Sequence, residues 1–375
     1  MKNAHRKQLW AWHHRFETRI TTQLISSFDI FFELLIIFSL MLSALIACLI
    51  TAGSLPFLHH FLAKYFLDKP NHLKKHARAV PVLGGCAVLL GLAASLIFIR
   101  LTTHFPTGTL HSLRGILLGT GIIFLLGLAD DVRKPKGLCV SVKLLGQALA
   151  TAVLMYYGVR ITLFDSAALC YLLTFFWIVG LTNAFNLLDI QDGLCVSQAI
   201  ICALGLALIA LPSEMIYVNF AAWAMLGACL GFWPYNHAKK FKTFLGDSGS
   251  MMLGFLLAAL SCGMGYSEHS SLGFLTPLFI LAVPLFDTAF VAIIRFLQGK
   301  NPLKGSPDHA ALRLRQNGLS LKQTLLLFAG AGLFFNGLAF AVSKASTQGI
   351  LCLCAFSLLL CLAVARLLAK MKVAP

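Results

Sequence analysis

The sequence is short of charge, and shortest of acid. Charged residues make up 12% of its 375 positions, and 14 Asp or Glu stand against 30 Lys or Arg. A soluble globular domain carries about 25% charged residues, so this composition excludes a water-soluble fold and belongs to the membrane class. No gap the size of a soluble domain interrupts the apolar runs between about residues 34 and 369. No CxxC pair is present, and most of the 11 cysteines (Cys48, Cys202, Cys229, Cys262, Cys352, Cys354, Cys361) lie inside apolar runs. There a thiol acts as a small hydrophobe, which sets aside a disulfide framework and a cysteine metal site. No internal repeat is visible either.

What is present is a series of span-length apolar segments. A membrane helix needs about 20 mostly apolar residues. The segments 34–54, 83–101, 113–129, 142–158, 168–183, 196–212, 217–234, 247–265, 272–294, 324–343 and 348–369 meet or approach that length. The expected fold is an all-α polytopic membrane protein of about eleven transmembrane helices with a cytoplasmic-face cleft. The first helix is expected to run on toward Phe66. One transmembrane domain covers 28–375, preceded by a basic segment, 1–27, read as an interfacial helix.

The net charge of +16 does not point to nucleic acid, because the basic residues sit between spans, where Lys and Arg set topology. With the N-terminus outside, the loops at 55–82, 130–143, 184–195, 235–246 and 295–323 hold 18 Lys or Arg. The opposite loops hold Arg100, Arg114, Arg160 and Lys344. Eighteen against four puts the first set in the cytoplasm, with the inner (plasma) membrane as the location. The five basic residues before the first span argue the other way.

The scarce acids collect on that same side. Asp130 and Asp131 end the third segment, Asp189 and Asp192 follow the fifth, and Asp247 opens the eighth. An Asp at membrane depth costs a few kcal/mol, so such residues are usually functional and face a cavity. Asp247 with Ser248 before an apolar run also suits a helix cap, at even odds when taken alone. Several carboxylates together repel unless cations neutralise them. Arg133, Lys134, Lys136, Lys143, Lys239, Lys240 and Lys242 are near in sequence. A divalent ion does this better, and Mg²⁺ typically binds one or two carboxylates plus substrate phosphates. Acids for a metal and bases for a polyanion fit phosphoryl transfer, which relies on positioning and charge stabilisation.

Several segments then form an ordered set: Gly127 to Asp131 with Val142 to Gln147; Thr182 to Asp189 with Asp192 and Gly193; Asn236 with Phe244 to Ser250; and Pro307 to His309 with Arg313 and Gly318 to Ser320. Lys75, His76 and Val80 to Gly85 fit as well. Over roughly residues 70–320 this set resembles the polyprenyl-phosphate N-acetylhexosamine-1-phosphate transferases, the WecA/MraY-type membrane enzymes. The resemblance implies that a UDP-N-acetylhexosamine gives its sugar-1-phosphate to a polyprenyl (undecaprenyl) phosphate within the bilayer. UMP is released, and the lipid-diphosphate sugar starts a cell-envelope polysaccharide.

By the same resemblance Asp247 is the metal ligand, for Mg²⁺. Asp130, Asp131, Asp189 and His309 are the catalytic positions, the paired acids orienting the acceptor phosphate. Lys143, Asn186, Asp192, Asn236, Phe244 and Arg313 fall on the nucleotide-sugar side, with Phe244 as the platform for uracil. Two departures stand out. Ile190-Gln191 replaces a common Gly-Leu, and His309 is followed by Ala310 and Ala311 instead of further histidines, which favours the WecA-like over the pentapeptide-muramyl branch. Asp287, followed by Arg295, matches a family position and reads as a structural polar contact. A homodimer is compatible with the sequence. The competing classes are a cation- or proton-coupled transporter, since intramembrane Asp marks ion pathways, and a scaffold without chemistry, which leaves the clustering of acids with lysines unexplained.

Overall fold

A computed structural model describes residues 34–68, 79–102, 109–211, 216–263, 270–301 and 306–371. The basic segment 1–27 and the Lys75-His76 pair lie outside the described residues. The chain divides into two compact units, Met1–Leu42 and Ser43–Pro375. In the first, the described residues open an apolar helix with Leu34, Leu35, Phe38 and Met41 exposed.

The helices are α1 Leu34–Tyr65, α2 Gly84–Thr102, α3 Thr109–Val132, α4 Val140–Tyr156, α5 Ala167–Leu188, α6 Leu194–Ala210, α7 Ile216–His237, α8 Gly246–Cys262, α9 Thr276–Ile280, α10 Ala282–Leu297, α11 Ala310–Gln316, α12 Leu321–Lys344 and α13 Thr347–Ala369. Among the described residues six of them, α1, α2, α3, α5, α12 and α13, are long and apolar enough to cross a bilayer. The protein is a mostly helical, polytopic membrane protein. Helices α4, α6 and α8 are apolar but have 17 residues each, the lower end of the spanning range. The first helix continues to Tyr65, as expected.

The expected span 272–294 is broken near Leu281: the stretch Ser271–Ile280, which ends in α9, is bent by 74° from α10. Pro284 lies in the first turn of α10 and has no amide hydrogen for the carbonyl of Ile280 four residues back. The thiol of Cys202 donates to that carbonyl at 3.2 Å instead, so this cysteine is more than an apolar filler.

Helix α8 is the interior element. Every residue from Ser248 to Ser261 is buried, against α3, α5 and α2. Such an all-round buried helix shows no polar face, because none of its sides meets water. Gly127 lets α3 approach closely, since a Cβ there would collide with the backbone of Asp247 and Ser248. In lipid, close packing through small residues is what holds helices together.

A short antiparallel ribbon, β1 Leu67–Asp68 and β2 Val80–Pro81, leads into α2. The carbonyl of Pro81 accepts from Phe244 N at 2.9 Å, and Gly84 N and Gly85 N donate to the carbonyls of Phe244 and Leu245, each at 2.9 Å. Thr243 Oγ1 adds a bond to Pro81 O at 2.8 Å. The starts of α2 and α8 are thereby laced side by side.

Candidate active site

Three helix ends meet at one place: the last turn of α3, the first turn of α4 and the first turn of α8. The α8 terminus forms because Gly246 takes φ +78°, a left-handed conformation open to glycine at little cost. A Cβ there would also strike Val82 and the Asp131 carboxylate. The first amides of a helix lack intrahelical partners. Here Asp131 supplies them across the fold: Oδ1 accepts from Asp247 N at 3.0 Å and Oδ2 from Ser248 N at 2.9 Å. Asp131, not Asp247, therefore caps α8, which removes the bland reading of Asp247.

The side chain of Asp247 turns instead to two lysines. Lys134 Nζ lies 3.1 Å from its Oδ1 and 2.6 Å from Asp131 Oδ1. Lys143 Nζ lies 2.7 Å from its Oδ2 and 3.0 Å from Asp130 Oδ2. Asp130 Oδ1 also accepts from Leu138 N. Asp131 is wholly buried, whereas Asp247 keeps 18% of its side chain exposed, so Asp247 is the carboxylate a ligand can reach. Burial disfavours the Lys134 ammonium, but the carboxylates of Asp131 and Asp247 outweigh it and raise that lysine above its ordinary range.

Asp189, just past the end of α5, faces the same group. Burial pushes its carboxyl up to about 7; Lys134 opposes this, while the charges of Asp247, Asp131 and Asp192 add to it. Carboxylates from three chain segments thus feel one another. Asp192 pairs with Lys242, whose ammonium also stands 5.5 Å from the centre of the Phe244 ring. Asn186 Oδ1 accepts from Ser250 Oγ at 2.9 Å.

Asn236 is buried, with its Oδ1 on Gly193 N and its Nδ2 donating to Thr243 O at 3.1 Å. Its amide ties the acidic loop to the Phe244 segment, so the structure gives it a loop-bracing place. His309 and Arg313 stand in a second charged group. His309 Nδ1 lies 2.7 Å from Asp287 Oδ2. Arg313 donates to Asp308 O at 3.0 Å, Asp308 Oδ1 at 2.8 Å, Leu368 O at 3.2 Å and Met371 O at 3.3 Å. These protein acceptors give Arg313 a bracing place rather than an open one. Asp308 is also held by Ser306 Oγ at 2.6 Å, with Arg295 Nη1 at 3.6 Å. Burial raises the Asp308 carboxyl, but Ser306 and Arg313 win and keep it below the ordinary range. The two groups adjoin: Leu188 and Leu194, flanking the acidic loop, share one apolar cluster with Val283, Phe290, Ala310 and Ala311.

Lys134 was only one of seven neighbouring bases in the sequence, yet it bridges two of the acids. Its signal was the three-residue step from Asp131 at a helix end, a spacing that brings side chains together. Among the described residues no three His, Cys, Asp or Glu groups form a metal cage on their own.

The model of glycosyl transferase family 4 matches residues 113–265, which run from α3 to α8 and hold all of the first group. The chain is 31% identical over 291 residues to a probable undecaprenyl-phosphate N-acetylglucosaminyl 1-phosphate transferase of Bacillus subtilis, covering 75% of this chain and 78% of that one. It is 28% identical to a decaprenyl-phosphate N-acetylglucosaminephosphotransferase of Mycolicibacterium smegmatis (69% and 70% covered), and 34% identical to a phospho-N-acetylmuramoyl-pentapeptide-transferase of Streptococcus equi (60% and 73% covered). None of these three is named as a transporter. The chain belongs to the polyprenyl-phosphate hexosamine-1-phosphate transferase family.

Proposed function

We propose that this protein transfers an N-acetylhexosamine-1-phosphate, N-acetylglucosamine-1-phosphate first among the candidates, from its UDP-sugar to a polyprenyl phosphate. An oxygen of the acceptor phosphate attacks the sugar-bearing phosphorus of the UDP-sugar. The bond from that phosphorus to the bridging oxygen breaks, and UMP leaves with the electron pair. A polyprenyl phosphate is already largely ionised near neutral pH, so no base is obligatory.

The observation that carries this reading is the meeting of Asp130, Asp131 and Asp247 with Lys134 and Lys143. Mg²⁺ fits the donor set: carboxylate oxygens are hard ligands, and the ion characteristically takes one or two of them plus phosphate and water. Asp247, the exposed carboxylate, would hold it, with Asp130 or Asp189 beside it. Bound there, the ion would supply positive charge to offset the negative charge of the transferring phosphate. Lys134 and Lys143, now engaged by carboxylates, are in place to hold phosphate oxygens. Phe244, with Lys242 and Asp192, is the proposed uridine side. Asn186 and Asn236 support that side through the loops they fasten. His309 contacts phosphate from the second group, with Arg313 bracing its helix.

We further propose that α1 to α8, the α9–α10 pair, α12 and α13 make eleven crossings of the inner membrane. The site then faces the cytoplasm, which the distribution of Lys and Arg supports. There the acceptor phosphate lies at the interface with its tail in lipid, within reach of a soluble nucleotide sugar. The product starts a cell-envelope polysaccharide, and the lone His309 favours the WecA-like branch. Purified protein in nanodiscs, given Mg²⁺, UDP-N-acetylglucosamine and undecaprenyl phosphate, is expected to release UMP and form a lipid-diphosphate sugar. No UMP from any UDP-N-acetylhexosamine would overturn the assignment.

A further inference from the structure

Asp287 on α10 and His309 at the start of α11 are 22 residues apart in sequence and meet in the interior. Asp287 Oδ2 lies 2.7 Å from His309 Nδ1, and Oδ1 accepts from Ala310 N at 2.8 Å. Both side chains are 2% exposed, so the contact is not a surface accident. Arg295, on the same helix as Asp287, lies against Asp308.

A carboxylate accepts and does not donate, so Nδ1 beside it must carry hydrogen. The other ring nitrogen, Nε2, is then the acceptor of a neutral ring or the second donor of a charged one. A neighbour that fixes one nitrogen thereby fixes what the other offers. We propose that Asp287 is a positioning residue for phosphate transfer: it locks His309 with Nδ1–H inward and leaves Nε2, in one orientation, for substrate phosphate. The inference rests on the reading of His309 as a phosphate contact.

The rival role is structural, since Oδ1 also holds the first amide of α11. Asparagine separates the two. Asp287→Asn keeps an oxygen for Ala310 N–H but turns an NH₂ toward His309 Nδ1, which forces the opposite tautomer. Asp287→Asn, Asp287→Glu, His309→Ala and the double variant D287N/H309A are assayed in nanodiscs for UMP release, per folded protein. Replacing a partner that orients a working histidine costs about 10–100-fold. Asp287→Asn is expected to lower kcat by that factor with little change in KM for the UDP-sugar. Asp287→Glu, which restores the charge, should recover part of the loss. The double variant should be no worse than His309→Ala, because two residues acting as a unit are not additive.

Wild-type kcat in Asp287→Asn, even with a lowered melting temperature, assigns Asp287 to capping alone and overturns the proposal. So does a double variant whose loss is the product of the two singles. If Asp287→Asn does not fold, the cycle is run with Asp287→Glu, and full non-independence is still required. Full activity in His309→Ala removes the phosphate contact itself. An impaired His309→Ala beside an unimpaired Asp287→Asn removes only the inference drawn here.

Discussion

The protein carries two groups of charge that solve the same problem in opposite ways. Around Asp308, Arg313 and Asp287 the acids and bases are matched, and the donors of Arg313 end on a protein oxygen at short range. Around Asp247 two lysines are shared among three aspartates, and Asp189 stands within reach of their charge. The first group braces α11 and the C-terminal end of α13. The second is under-neutralised and partly open, which is what the proposed function asks of it.

Variants can break or sharpen that contrast. The largest effect is expected from Asp247→Asn. UMP release should fall about 10³-fold, the scale for losing one preorganised charge contact, with a loss of stability smaller than that of Asp131→Ala, because Asp247→Asn takes a partner from Lys134 and Lys143 but leaves the Asp131 cap of α8 in place. A variant that lost stability and kept its rate would place Asp247 with the bracing group. Asp131→Ala should lose both, since it removes a cap and leaves Lys134 buried with one partner fewer. Breaking a buried pair costs about 3–5 kcal/mol, measured by denaturation in detergent.

Arg313→Lys tests the other side. Lysine cannot reproduce a planar fork, so stability should drop by about 2 kcal/mol, the net scale of a charge-assisted hydrogen bond. KM for the UDP-sugar should hardly move. A large rise in KM, with stability intact, would shift Arg313 into the substrate site. The last effect is pH-dependent and belongs to Asp189. Its folded carboxyl titrates near 7, whereas an unfolded one titrates near 3.9. Between those values the folded chain keeps a proton that the unfolded chain has lost, so metal-free stability falls as pH rises from about 4 to 7. Asp189→Asn should therefore raise the melting temperature at pH 8 and leave it little changed at pH 4. A gain at both pH values would mean that the carboxyl is not strained by its neighbours.

The apolar segments and the gathering of acids were legible in the sequence because both leave local signals: run length, and charge where charge is rare. Helix bounds followed closely, with α5 extended to Leu188 by residues that read as loop. Partnerships across the chain left no such signal. That Asp131 caps a helix starting at Gly246, or that Asp287 waits for His309, depends on how α3, α8, α10 and α11 pack, and no spacing encodes it. The break at Leu281 was half legible, since Pro284 was visible but the Cys202 thiol that makes the break tolerable was not. Asn236 and Arg313 show the converse limit. A motif fixes the position of a residue without saying whether its polar atoms face a ligand or the protein.

The seam at Gly127 has a consequence for how this enzyme can fail. Asp131 and Asp247 ride on different helices and are kept together only while those helices touch. A single methyl at Gly127, one turn away from the acids and carrying no charge, would wedge the seam and pull the two carboxylates out of register. Inactivating changes should therefore appear among uncharged, lipid-level positions of α3 and α8, where a survey of the polar residues would never look.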